Sequence, residues 1–329
     1  MSYMGKFLDI SAAADFLGNG AIEVNRYEDE IVDLVRRESI ALQRFDAVPA
    51  TGHPHRYFEQ TAIATAAFTD PRAISPTPSG PTRVERAAFI KALTAQTNLS
   101  LFDVDVTRMQ GQFASVEAKD IEDIVSAILI QEGTSVWNGN DTSLSSPTTI
   151  QYMGLLNQIP AGSVSVGAGA SIIDGLKAQV AAMAANVTYR VRPTAIYLNP
   201  ILGDYIDREA KAAKIELKEM VVAGVTVNAI ETQAGRLPLI ADPYMPTTTD
   251  TSFGYAAPAS GFKNYFAVVT TEKEIEMPYV HGGDGNKNPR VFQLGLLAGL
   301  QGQYVAVHFN TVIAKAASYA HAVVLVVRP

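Results

Sequence analysis

Residues 50–95 set the tightest limit on how this chain can fold. Two strand-like segments, His55–Phe68 and Thr82–Leu93, flank the linker TDPRAISPTPSGPT. That linker holds Pro71, Pro76, Pro78, Pro81 and Gly80. Proline offers no amide to a sheet interior, so the linker reads as a loop tip. The flanking segments are rich in Thr, Ala and charge and poor in large apolar side chains. A hairpin of this kind has no core of its own and is marginal alone. It must lie against something else, and a neighbouring copy of the chain is the natural candidate. Arg72, Arg83, Glu85 and Arg86, at and beside the tip, are expected to form ion pairs with that neighbour. Each exposed pair contributes only about 0–1 kcal/mol, so such contacts matter through repetition.

The 329 residues suffice for one large domain or two smaller ones. With 47% apolar and 18% charged residues, the composition is that of a globular protein. The formal net charge of -7 and the absence of any basic run longer than Arg36-Arg37 argue against a tight grip on nucleic acid. A relation to DNA would be enclosure. The chain has no cysteine, which excludes disulfides, zinc–thiolate sites, iron–sulfur clusters and thiol nucleophiles. The segment MSYMGKFLDI lacks the pattern of a secretory signal. The most apolar stretch, Ala320–Val327, is far short of the ~20 residues of a membrane helix, so no membrane partner is expected. No repeat of about 30 residues is present.

Along the chain, residues 1–25 read as an extended or partly helical arm. A helix over 27–45 follows, with Ile31, Leu34, Val35, Leu42 and Phe45 on one side. The clearest helix is 116–132. There Ile121, Ile124, Val125, Ile128 and Leu129 recur at helical spacing behind an acidic start of Glu117, Asp120, Glu122 and Asp123. EGTSVWNGNDTSLSSPTT then reads as loop. Ser171 is placed to cap a helix ending near Ala185, with Asp174 at the capping-box position and Ile172, Leu176, Val180 and Met183 as its stripe. A short buried strand, Thr194–Leu198, leads to Asn199-Pro200, an N-cap followed by a good first helical residue. The helix 200–213 carries Ile201, Leu202, Tyr205 and Ile206. Strands are expected at 225–230, 237–241 and 264–271. Val305, Val307, Phe309 and Ile313 alternate within Tyr304–Lys315 as in a half-buried strand. Ala322–Val327 reads as a central strand covered on both faces.

Four segments carry a family resemblance. Trp137-Asn138-Gly139-Asn140-Asp141 follows the long helix, and Gly154-Leu155-Leu156-Asn157 follows a linker. TAIYLNPILGDYI, 194–206, and RLPLIADPYMP, 236–246, come next. In this order and spacing they resemble the Hong Kong 97 phage capsid fold, which encapsulins share, over about residues 27–327. The resemblance implies an α+β fold in fixed parts: an N-terminal arm 1–26, an E-loop 50–95 and an A domain 147–303. The P domain would combine 27–49, 96–146 with its spine helix, and the returning strands 304–329. It further implies a structural major capsid protein of a tailed phage that self-assembles, as hexamers and pentamers, into an icosahedral head enclosing double-stranded DNA. Portal and separate scaffolding or decoration proteins would be partners. The 26 residues before the first helix leave no room for a fused scaffolding segment, so the resemblance implies either a separate scaffolding protein or none. The virion would be its location, after assembly in the bacterial cytoplasm. An encapsulin-like compartment shell is the alternative, and an unrelated α/β enzyme a more distant one.

No catalytic, cofactor or metal residue is expected. His53-Pro-His55 reads as a turn, because His281, His308 and His321 are far away in sequence. Gly167-Ala-Gly-Ala-Ser171 completes neither a P-loop nor a dinucleotide fingerprint. No GxSxG occurs, and Ser163 and Ser165 lie in an alternating strand. The acidic cluster at 117–123 reads as a solvated helix start. His281–Pro289 stays open between an exposed loop and a ligand loop. The resemblance also brings in the isopeptide cross-links of some relatives, which would need a Lys such as Lys91 near an Asn of a neighbouring copy, and the sequence alone does not support them.

Overall fold

The computed structural model describes residues 39–329, apart from 67, 69, 73–79, 111–115, 188, 190, 216, 223–224, 282–286 and 298–300. The expected N-terminal arm, most of the helix 27–45, the centre of the proline-rich tip and the centre of the 281–289 loop lie outside the described residues.

The description begins with a short helix, α1 (Ile40–Arg44), and strand β1 (Asp46–Pro49). A hairpin of β2 (His55–Ala62) and β3 (Thr82–Ala88) follows. Next come β4 (Lys91–Ser100), α2 (Leu101–Gln110) and the long helix α3 (Val116–Asn138). A one-turn helix α4 (Leu155–Gln158), β5 (Ala161–Val166), α5 (Ile172–Ala184), β6 (Ala195–Leu198) and α6 (Pro200–Ala212) continue the chain. Then come β7 (Lys218–Val222), β8 (Val225–Thr232), β9 (Gly235–Ala241), β10 (Thr247–Thr248) and β11 (Lys263–Thr270). The last elements are β12 (Ile275–Tyr279), β13 (Arg290–Leu297), β14 (Gln301–Asn310), β15 (Ile313–Ala314), α7 (Ala317–Ala320) and β16 (His321–Arg328).

One eight-stranded sheet runs β5-β16-β11-β6-β9-β8-β7, with β10 beside β11. Its central strands are buried on both faces, which is why they read as continuous apolar runs. Alternation divides them cleanly. Ile196, Leu198, Leu239, Ala267, Val269 and Val324 face α5 and α6, against Leu176, Val180, Leu202 and Ile206. Tyr197, Ile240, Phe266, Val268 and Val323 face the other way, onto Phe45, Trp137, Leu155 and Leu156.

The caps form as the sequence predicts. Ser171 Oγ accepts from Asp174 N (3.1 Å), and Asn199 Oδ1 accepts from Ile201 N (3.0 Å) with Pro200 next in line. Ile201 is the exception on the expected stripe of α6, being exposed.

His321 opens β16 at the bottom of this sheet and is buried. Its Nε2 lies 3.2 Å from the Lys315 carbonyl, which it donates to, and Nδ1 has no hydrogen-bond partner among the described residues. Burial pushes this imidazole down to about 4, outweighing the opposing backbone hydrogen bonds. The folded state therefore holds a neutral ring that the unfolded chain would protonate. Its contribution is complete above pH about 6.5 and is lost as pH falls towards 4, in total about 3 kcal/mol. Urea midpoints measured across this window should fall for the natural chain and fall less for His321→Gln. Parallel pH profiles for the two would refute the assignment.

The second sheet has six strands, with β1-β12-β14-β13 as its path, β4 on β14 and β15 on β12. β14 runs between β13 and β4, pairing with β4 along all ten residues from Gln301↔Ser100 to Asn310↔Lys91. Helix α3 lies on this sheet. Its Ile124 and Ile128 are buried, and Ile121 and Val125 partly so, against Leu93, Ala95, Leu99, Tyr304 and Ala306. Leu129, one turn on, lines a 330 Å³ cavity with Leu42, Glu132, Met277, His308 and Asn310.

Several boundaries differ from the sequence reading. The hairpin strand expected to reach Phe68 ends at Ala62. The segment Thr82–Leu93 is two strands, broken at Phe89-Ile90, and its second half belongs to the sheet under α3. The polar side chains Thr94, Gln96 and Asn98 hid β4, because they occupy only its exposed face. The long helix does not stop at residue 132: Glu132–Trp137 continues it, almost wholly buried. A Cβ on Gly133 would sit 2.9 Å from Ser39 Cβ and 3.3 Å from the Tyr244 ring, so here glycine serves close packing inside a helix. Strand pairing also divides the chain differently from the expected parts. β12 and β13, placed with 147–303, pair with the sheet of β4 and β14, whereas the final strand β16, placed with 304–329, lies between β5 and β11 in the other sheet.

Candidate assembly surfaces

The four segments that carry the family resemblance converge in space. Gly154 N donates to Gly139 O (3.0 Å), Asn157 Nδ2 donates to the same carbonyl (2.7 Å), and Asn140 bridges to Met153. The backbones approach so closely that a Cβ on Gly139 would lie 2.3 Å from Tyr152 O, and one on Gly154 2.3 Å from Gly139 N. Only glycine fits at either point. The other two segments pair as parallel strands, Ile196↔Leu239 through Leu198↔Ala241. Asn199 Nδ2 then reaches across to Met245 O (2.7 Å).

Asp242 ties both pairs together. Fully buried, it accepts from Trp137 Nε1 (3.1 Å), from Tyr244 N (3.0 Å) and from Ser39 Oγ. Beside it, Arg44 grips Glu272 with two hydrogen bonds, Nε to Oε1 at 2.6 Å and Nη2 to Oε2 at 2.8 Å. Tyr197 Oη adds a third at 2.6 Å. Burial alone would raise the Glu272 carboxyl, but these hydrogen bonds outweigh it and hold it below the ordinary glutamate value. Together these contacts fix α1, the end of α3 and the eight-stranded sheet to one another.

The hairpin is the surface element. Cross-strand register sorts its residues into two faces. Tyr57, Glu59, Val84 and Arg86 share the face turned to the hairpin's own subunit. Glu59 Oε1 accepts from Ala316 N (2.6 Å), Lys315 Nζ lies 5.6 Å from the centre of the Tyr57 ring, and Tyr189 Oη donates to Thr61 O. Arg56, Phe58, Gln60, Arg83 and Glu85 share the outward face. Phe58 is 75% exposed there, and Ile63 and Phe68 are exposed beyond it.

Of the residues expected at a subunit contact, Arg86 pairs with Glu59 (3.1 Å) and Glu85 with Arg56 (2.7 Å), both within the hairpin. Arg83 is exposed on the outward face, without an ion pair among the described residues. Arg72 is exposed at the start of the tip, its amide donating to Asp70 Oδ1 (2.9 Å). Sequence reasoning missed Phe58. The alternation of the strand holds the signal, since a large aromatic stands among polar residues on that face.

Other sequence candidates resolve as structural features. The N-terminus of α5, behind the glycine-rich turn, already holds a carboxylate: Glu209 accepts from Ser171 Oγ, Ile172 N and Ile173 N at 2.6, 2.8 and 3.2 Å. His55 Nδ1 accepts from Thr51 N, and His53 stands edge-on to Phe89. Lys91 Nζ donates to Thr149 O (2.5 Å) and pairs with buried Asp141 (3.5 Å). Among the described residues no group of three or more His, Asp or Glu side chains could hold a metal ion, and no helix is long and apolar enough to cross a membrane.

No protein-family model matches the chain, and no curated protein matches it. Solved structures do. The capsid of a native GTA particle superposes with a TM-score of 0.65 at 12% identity, over 95% of this chain and 98% of that one. This chain has the Hong Kong 97 capsid fold. The capsid protein of cyanophage A-1(L) gives a TM-score of 0.65 at 8% identity over 92% and 96% of the two chains. The holo-SrpI encapsulin complex from Synechococcus elongatus PCC 7942 gives 0.62 at 13% identity over 95% and 94%. The agreement covers nearly the whole chain at identities of 8–13%, so it is an agreement of backbone arrangement.

Proposed function

We propose that this protein is a shell subunit, the major capsid protein of a tailed phage, which self-assembles into an icosahedral head around double-stranded DNA. The carrying observation is the hairpin. It is fixed to its own subunit on one face, while its outward face presents Phe58 to solvent with Ile63 and Phe68 beyond. A lone globule has no use for such an arm, and a shell of like subunits does. Contacts of this kind are individually weak and geometrically fixed, so errors can dissolve before closure. Hexamers and pentamers are the capsomers this reading calls for, with portal, scaffolding and decoration proteins as further partners. The net charge of -7 fits a wall along which DNA slides without being gripped. No catalytic role is assigned.

An encapsulin-like compartment is the second reading, favoured by the likeness to the SrpI shell at 13% identity. Purified protein examined by light scattering and negative-stain microscopy should form closed particles of megadalton mass. Nuclease-protected DNA within particles from the native source supports the phage head, and a protein cargo supports the compartment. A chain that stays at one to a few subunits under all assembly conditions overturns the shell reading.

A further inference from the structure

The turn after β15, residues 315–317, holds the inner face of the hairpin to its own subunit. Glu59 Oε1 accepts from Ala316 N (2.6 Å). Ala316 sits at φ 51°, a left-handed backbone that alanine adopts only where its surroundings fix it. Lys315 Nζ pairs with Glu276 of β12 and lies 5.6 Å from the centre of the Tyr57 ring.

Beside Tyr57 stands His55, the first residue of β2. It is 6% exposed, and its ring stacks on that of Tyr57 with centres 6.3 Å apart. Its Nδ1 accepts from Thr51 N (3.3 Å), which places the proton of the neutral ring on Nε2. Its partner across the hairpin is Ala88, which is fully buried. The root of the hairpin is built round an uncharged imidazole.

A proton on Nδ1 changes this place in three ways. It sets donor against donor, so that Thr51 N loses its acceptor, although Thr51 Oγ1 at 3.3 Å can take the new hydrogen. It puts a charge into a buried site. It adds a cation in the field of Lys315, whose countercharge Glu276 is already engaged. The other charges on this face, Glu59 and Arg86, pair with each other (3.1 Å). Burial pushes the Tyr57 phenol up to about 12, so it stays neutral beside them. Burial also lowers the His55 imidazole, with Glu276 opposing and Lys315 reinforcing. By linkage, what the neutral ring contributes is complete above pH about 6.5 and is lost as pH falls below that value. A hairpin let go by its subunit is a two-stranded unit, marginal alone.

We propose that the root of the hairpin is a proton-operated latch: neutral His55 holds the arm against the 315–317 turn, and protonated His55 releases it. The latch belongs to the single subunit and puts the arm of the shell reading under control of pH. Its test uses free subunits, so it can fail with that reading left standing. Amide exchange, corrected for the intrinsic effect of pH, reads the latch directly. From pH 7.5 to 5.5, exchange at Ala316 N and over 56–61 and 83–87 should quicken by at least about tenfold, while β6 and β11 stay slow. His55→Asn keeps an acceptor near the place of Nδ1 and takes no proton, so its hairpin should exchange equally slowly at both pH values. His53, exposed and edge-on to Phe89, is the control, and His53→Gln should respond as the natural chain does. On the natural chain, NMR should give one shared midpoint for the His55 ring proton and for the opening, a readout that survives if the asparagine variant does not fold. The latch is overturned by equal exchange at the two pH values, by quickening that extends equally to β6 and β11, by an undiminished response in His55→Asn, by a response that His53→Gln abolishes, or by two separate midpoints.

Discussion

Replacing residues 56–87 with a short Gly/Ser linker should leave a folded subunit that no longer closes into particles. The structure sets the cut. His55 and Ala88 face each other across the hairpin base, a cross-strand gap of roughly 5 Å that a few residues span. β4 has to be kept, because from Lys91 onward it pairs with β14 and supplies Leu93, Ala95 and Leu99 to the core beneath α3. What the subunit itself loses is small: the Glu59–Ala316 and Tyr189–Thr61 hydrogen bonds and the Lys315–Tyr57 contact, on the order of 1–3 kcal/mol together. What the assembly loses is the whole outward face around Phe58. A denaturation midpoint close to that of the natural chain, with closed particles absent by light scattering and microscopy, is the expected pair of results. Normal particles would remove the hairpin from the assembly contact.

The sequence disclosed most of the architecture wherever local chemistry decides it. The Ser171 and Asn199 caps, the stripe Ile172-Leu176-Val180-Met183 and the all-apolar strands 195–198 and 322–327 are set by hydrogen bonds and burial within a few residues. Misreadings came where a long-range contact overrules a local signal. Gly133-Thr134-Ser135 has loop composition, yet α3 runs through it because the glycine admits Ser39 and Tyr244 and Thr134 Oγ1 bonds back to Ile130 O (3.0 Å). Thr94, Gln96 and Asn98 look wrong for a core strand until β4 is seen to have one exposed face. The charges beside the tip also pair within the hairpin, which the sequence reading did not foresee: Arg86 with Glu59 and Glu85 with Arg56 are cross-strand neighbours that linear order separates by more than twenty residues. No local rule reveals that pairing before the register is known.

Trp137→Ala should be the most damaging single change in the body of the molecule. The indole is fully buried, edge-on to Phe45 at 6.1 Å between ring centres and tilted against Tyr197 at 5.4 Å. Truncation leaves a large cavity where α1, the end of α3 and the eight-stranded sheet meet, and large aromatic-to-alanine changes of this kind cost about 3–5 kcal/mol. It also strips buried Asp242 of its Trp137 Nε1 donor, leaving Ser39 Oγ and Tyr244 N to satisfy the carboxylate. Trp137→Phe separates the two effects, since it keeps most of the apolar volume and loses the donor, and should cost less than half as much. Urea unfolding followed by circular dichroism measures both, which avoids relying on emission from the chain's one tryptophan. A loss below about 1 kcal/mol for the alanine variant would mean that this junction is not where the two sheets are joined. A loss of the expected size would show that the segments 137–139 and 236–246, far apart in sequence, are held together at one buried junction through Trp137 and Asp242.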